Sequence, residues 1–232
     1  MTNHAAPALT VAFTGHRRPM AAPGPLAEAL GTAFGMIVRA CAPKAGAARP
    51  PALHLVSGIA PGADRLAVVA ARASGFARVT ALVPYATAGG GLTDRAGEAG
   101  PDDLVSADLL AGLGVDIVEV LDGAGADAAG RDGHAELAGH LLARADLLVA
   151  LWNGLPPAGP GGTGDVVRMA CKAGTPVLWL VDGAAMGLRL LKSGDRPDLD
   201  GAHTVDEAGL RAVLACPLRI RQPVVASSRE HT

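Results

Sequence analysis

The sequence predicts an α/β fold: a Rossmann-like, doubly wound, mostly parallel sheet of about six strands with helices on both faces. Three observations predict it. Six short apolar runs end in turn residues, alanine- and leucine-rich stretches of helical length lie between most of them, and the runs are continuously apolar rather than alternating. A continuously apolar strand is buried on both faces, as in a parallel sheet covered by helices.

Residues 9–15 (LTVAFTG), 52–58 (ALHLVSG) and 78–84 (RVTALVP) have the length and β-branched content of buried strands and stop at Gly or Pro. Residues 25–41 and 63–74 between them have helical length and composition. A helix at 103–113 leads to strands at 115–121, 146–152 and 176–181, with helices at 133–145 and 164–173 between these. Two stretches, 86–101 and 123–133, are rich in Gly and Ala and are expected as mobile loops or disordered excursions. After Val181 the pattern dissolves into polar sequence, a short helix at 205–215 and a charged tail.

At 232 residues, and about 150 residues per domain, one elaborated domain is expected. It divides into a tail at 1–8, the Rossmann-like domain at 9–182, and an extension at 183–232 that is packed on the domain or partly disordered. With 20 basic and 22 acidic residues the chain lacks the positive field that nucleic-acid binding uses. Aromatic residues, at 3%, are too few for base-stacking platforms. Apolar runs fall far short of the ~20 residues of a membrane span and the first residues do not read as a leader, so a cytoplasmic location is expected. Cys41, Cys171 and Cys216 are odd in number and scattered, which fits buried thiols rather than disulfides or a zinc site. The histidines show no metal-ligand spacing, and no GxSxG elbow occurs, so neither a metal site nor a serine nucleophile is expected.

In such folds ligands sit beyond the carboxyl ends of the strands, so the loops there hold the candidates. After the first strand come Gly15, His16, Arg17 and Arg18. The two guanidinium groups fit either a phosphate or carboxylate fork or a solvated turn, and His16 either a base or a hydrogen-bonding neighbour. After the second come Ser57, Gly58, Gly62, Asp64 and Arg65, where Gly lets a ligand approach the backbone and Asp64 either meets a ligand or favours the helix start. After the fifth come Asn153 and then the cluster Gly159, Gly161, Gly162, Thr163, Gly164 and Asp165, the best phosphate cradle in the chain. The same cluster satisfies GxGxxG, with Asp182 at the end of the next strand, which would spell NAD; but residues 153–158 separate it from its strand, where the fingerprint should follow at once.

Taken in order, TGHRRP, VSGIAPGADRLA and DLLVALWNG with GPGGTGDVVRMA resemble the SLOG superfamily, the Rossmann-like group of the Lonely Guy phosphoribohydrolases, the DNA-processing protein A fold and many nucleotide sensors. The resemblance runs from about Leu9 to Val181. It implies a nucleotide-type ligand such as AMP, NAD or an ADP-ribose derivative, with its phosphate on the glycine loop, no further cofactor, and a homodimer. The Lonely Guy motif Pro-Gly-Gly-x-Gly-Thr-x-x-Glu, laid on Pro160 to Gly164, puts Asp165 at the threonine and Arg168 at the catalytic glutamate. The acid is missing there, and GHR with SG-x-A-x-GAD-R resembles the sensor branch. The expectation is therefore a nucleotide-binding sensor. A nucleotide N-glycosidase using Asp165 or Asp64, and an NAD-dependent oxidoreductase, are the alternatives.

Overall fold

Strand β1 (Ala8–Gly15) lies inside the sheet because both its faces are apolar. Leu9, Val11 and Phe13 enter one core and Ala12 the other. The computed structural model describes residues 8–43, 50–86, 91–94, 100–121, 133–157, 159–183 and 186–215. The tail at 1–7, residues 123–132 of the second Gly-rich stretch, Cys216 and the charged terminus lie outside the described residues.

After β1 the chain forms α1 (Pro23–Ala40), β2 (Ala52–Ser57), α2 (Ala63–Ala73), β3 (Arg78–Val83) and a small hairpin of β4 (Tyr85–Ala86) and β5 (Leu92–Thr93). Then come α3 (Ala107–Leu113), β6 (Ile117–Val120), α4 (Gly133–Arg144), β7 (Leu147–Trp152), α5 (Thr163–Ala173) and β8 (Val177–Val181). Strands β9 (Leu188–Leu191) and β10 (His203–Thr204) and helix α6 (Glu207–Ala215) end the described chain.

The main sheet has eight strands in the order β10-β9-β8-β7-β1-β2-β3-β6. All pairings are parallel except those joining β8, β9 and β10. The fold class is thus the predicted one, with two strands more than the expected six. Both extra strands come from the polar stretch after Val181. They are short strands at the β10 edge of the sheet that carry polar residues, including Arg189 of β9, which donates to Thr204 Oγ1 of the edge strand β10 at 3.0 Å, so no long apolar run marks them.

Helices α1, α2, α3 and α6 cover one face through Leu30, Ala67, Leu110 and Leu210, and α4 and α5 cover the other through Leu141 and Val167. Helix α3 begins at 107 rather than 103 because the Ser106 hydroxyl caps it, accepting the Leu109 N–H at 3.1 Å, while Pro101–Asp103 forms a separate 3-10 turn. Burial pushes the Cys171 thiol up to about 11, so it packs as a neutral thiol. Among the described residues no helix is long and apolar enough to cross a membrane.

The chain winds outward from β1 through β2, β3 and β6, then returns to add β7 on the other side of β1. Neighbouring loops therefore diverge at the carboxyl ends of β1 and β7. A crevice at such a reversal is the usual ligand position in open α/β sheets.

Candidate functional site

A cavity of about 360 Å³ opens at those strand ends. Of the residues singled out from the sequence, Gly15, His16 and Arg17 after β1, Gly58 and Asp64 around the β2–α2 turn, and Gly159, Gly161, Gly162 and Thr163 at the start of α5 line it together. A larger hollow of about 640 Å³ runs along α6 at Asp206, Glu207 and Arg211, but it involves none of the strand-end loops.

Two glycines set the shape of the cavity. Gly62, at φ 93°, precedes α2 so closely against the β1 loop that a Cβ there would lie 2.2 Å from the Arg17 carbonyl oxygen. Gly161, at φ 72°, brings the loop before α5 onto the start of α4, where a Cβ would lie 2.3 Å from the His134 carbonyl carbon. A side chain at either position meets both a left-handed backbone and a fixed wall. Ile59, in the same turn as Gly62, has φ 58°. A buried β-branched residue in that region is strained, a feature that collects at binding sites.

The β7–α5 loop is held from below. Trp152 and Trp179 pack with ring centroids 4.8 Å apart, and Trp179 Nε1 donates to the Trp152 carbonyl at 2.7 Å. Trp152 Nε1 in turn donates to the Leu155 carbonyl at 2.9 Å, fixing the proline-rich bend that delivers the glycine loop. Asn153 serves the same bend: its N–H donates to His16 Nε2 at 3.3 Å and its Oδ1 accepts the Leu155 N–H at 3.1 Å.

The acidic wall of the cavity is buried. Asp64 is 6% exposed and Asp94, which follows the β4–β5 hairpin, 2%. Burial pushes the Asp64 carboxyl up to about 7; the Ala60 N–H opposes this, and the neighbouring Asp94 charge adds to it. Burial also raises Asp94, with Arg17 pulling it back. Arg17 donates to Asp103 Oδ1 at 3.1 Å and to the Asp94 carbonyl at 2.9 Å, and pairs with Asp94 Oδ2 at 3.0 Å without hydrogen-bond geometry. His134 Nε2 lies 2.9 Å from the Asp94 carbonyl oxygen and 3.3 Å from Arg17 Nη2. The Oδ1 of Asp64 and both carboxylate oxygens of Asp94 have no hydrogen-bond partner among the described residues.

The other sequence candidates do not line the cavity. Arg18 is exposed, and Ser57 is buried beneath the turn. Arg65 clamps the β2–α2 turn to the 3-10 segment, donating to the Ile59 carbonyl at 3.2 Å and the Asp102 carbonyl at 2.8 Å. Gly164 leaves room for Trp152 Nε1 and the Leu155 carbonyl, each 3.0 Å from where its Cβ would be. Asp165 accepts the Gly161 N–H at 2.9 Å and pairs with Arg168. The Gly161 N–H, and Arg168 after it, hold the Asp165 carboxyl below the usual range. Asp182 accepts the Met20 N–H at 2.9 Å and the Ala21 N–H at 3.2 Å ahead of α1, and does not line the cavity.

Sequence reasoning missed Asp94, Asp103 and His134. Asp94 and His134 line the cavity: Asp94 lies in a Gly- and Ala-rich stretch that composition had set aside as a loop, and His134 is the second residue of α4, inside the expected helix at 133–145. The signal that finds them is position: both follow carboxyl ends of strands in the parallel sheet, as the ligand rule requires.

No family model matches the chain, and no curated protein matches it. The X-ray structure of TM1055, a structural genomics target, is similar to it at 18% identity, over 87% of this chain and 88% of that one, with a TM-score of 0.44.

Proposed function

We propose that the chain binds a nucleotide or nucleotide-derived ligand in the strand-end cavity, as a sensor or binding protein of the SLOG type. The observation that carries this reading is the meeting of two unlike poles in one cavity: glycine-rich backbone at the start of α5 and buried carboxyl groups at the start of α2. The volume, about 360 Å³, falls within the ~300–1,000 Å³ of small-molecule sites.

The first N–H groups of a helix lack intrahelical acceptors, and its dipole favours an anion there. The Gly161 and Gly162 N–H groups are held by Asp165 and the Gly159 carbonyl. Thr163, next in the chain and lining the cavity, is where a phosphate meets the helix. Arg17 belongs to the acidic wall in this reading, as the countercharge of Asp94 and Asp103. AMP, NAD and ADP-ribose derivatives are the ligand class, and a cytoplasmic homodimer is part of the same proposal, tested by sedimentation equilibrium.

Asp64 favours a second reading, nucleotide N-glycosidase. A carboxyl pushed up to about 7 gives or holds a proton near neutral pH, as departure of a base requires. Asp165, tied to Gly161 and Arg168, lacks that property. Native mass spectrometry of the full chain with AMP, CMP, NAD and ADP-ribose separates the readings. Retained intact nucleotide supports the sensor, free base supports the hydrolase, and neither across the panel refutes the nucleotide pocket.

A further inference from the structure

Two carboxylate oxygens on the cavity wall, Asp64 Oδ1 and Asp94 Oδ1, are buried without a donor among the described residues, and Asp94 Oδ2 faces the Arg17 guanidinium at 3.0 Å without hydrogen-bond geometry. Such acceptors are costly to leave unmet, so the cavity is unfinished until something donates to them. A phosphate cannot, because it brings acceptors and like charge. A cationic amine is disfavoured because Arg17 already stands 3.0 Å from Asp94 and repels a second cation. Neutral hydroxyl groups satisfy both conditions, and two acids from separate elements suit two adjacent hydroxyls.

Resting on the nucleotide reading above, we infer that Asp64 and Asp94 form a ribose subsite that takes the vicinal hydroxyls of the ligand, with the phosphate toward Thr163. The ligand class is thereby narrowed to ribonucleotides and ribose phosphates, and deoxyribose compounds are rejected. A site built to hydrogen-bond a hydroxyl discriminates strongly against an analogue lacking it, because its own buried groups are then left unpaired.

The test is calorimetric titration of the full chain with AMP, 2′-deoxy-AMP and 3′-deoxy-AMP, the corresponding CMP set, and ribose 5-phosphate against 2-deoxyribose 5-phosphate. The expected result is that each ribo compound binds at least about 10-fold tighter than its deoxy partner, the scale on which such sites discriminate. Asp64→Asn, with Asp94→Asn as a second variant should the first fail to fold, brings the two members of a pair to within about 3-fold by weakening the ribo compound. Equal binding of ribo and deoxy members by the unmodified chain overturns the subsite while leaving the nucleotide reading standing. No binding by any member overturns both. Tight binding of putrescine that Asp64→Asn abolishes reassigns the wall to amines and overturns the hydroxyl assignment.

Discussion

The starts of α2 and α5 are built alike and behave oppositely. Each helix carries an aspartate in its first turn, behind a glycine at positive φ that abuts a neighbouring backbone. The helix dipole favours the charged form of both acids. Asp165 follows that rule: it reaches the Gly161 N–H and Arg168, and its carboxyl is held low. Asp64 breaks it, because it is buried beside a second acid, Asp94, and desolvation outweighs the dipole. The same residue type in the first turn of a helix is a cap in one loop and a titrating wall in the other, and burial decides which.

The strongest way to break the comparison is to remove what makes the two starts alike. Gly62→Ala and Gly161→Ala each place a Cβ within 2.3 Å of fixed backbone in a left-handed conformation. A loss of at least about 5 kcal/mol, or failure to fold, is expected in urea unfolding. A loss under about 1 kcal/mol would show that these helix starts are not fixed by backbone contact.

The next effect reads Asp64 directly. Its carboxyl titrates near 7 when folded and near 4 when unfolded, so between those values the folded chain holds a proton that the unfolded chain has released. The stability is fully present below about pH 4 and lost as pH rises through 7, on the order of 4 kcal/mol. Asp94, also raised, adds in the same direction. Asp64→Asn is expected to flatten most of this slope in urea midpoints taken from pH 4.5 to 8. A slope that survives intact assigns it elsewhere.

Arg17→Gln leaves Asp94 and Asp103 without their cation and is expected to cost about 3 kcal/mol at pH 8. Because Arg17 also opposes the upward shift of Asp64, the pH at which stability falls should move higher in this variant. The smallest effect belongs to Asp165→Asn, about 1 kcal/mol at pH 7, from a weaker acceptor for the Gly161 N–H and loss of the Arg168 pair. Its sign against pH is opposite. The folded carboxyl is held low, so its contribution is present above the usual carboxylate range and disappears as pH falls through the lowered value.

Legibility in the sequence followed burial on both faces. The runs that became β1, β2, β3, β7 and β8 were apolar because helices cover them, so each was visible from composition, whereas β6, read as a buried strand, is an edge strand that leaves Ile117, Val118 and Val120 exposed. Strands β9 and β10, half solvated and interrupted by Arg189, left no such trace. At the site, Gly58, Asp64, Gly161 and Thr163 were legible because they stand next to apolar strands and helices that announce the loops between them. Asp94 was not, since its segment is Gly- and Ala-rich and shows no period, and Asp103 and His134 were read only as residues of the helices expected at 103–113 and 133–145, because their meeting with Arg17 spans 86 and 117 residues.

Local sequence alone determined the parallel α/β sheet, its helices and the loops that had to lie at the carboxyl ends of the strands, because hydrophobic period and chain reversal are short-range properties. Only the tertiary structure decided which charges meet. Arg17, 77 residues from Asp94 and 86 from Asp103, became part of an acidic wall rather than a free fork. Asp182, read beside a glycine fingerprint, became the anchor of the turn before α1. Whether an acid is a cap, an anchor or a titrating group depends on its desolvation and on partners distant in the chain, and folding alone supplies both.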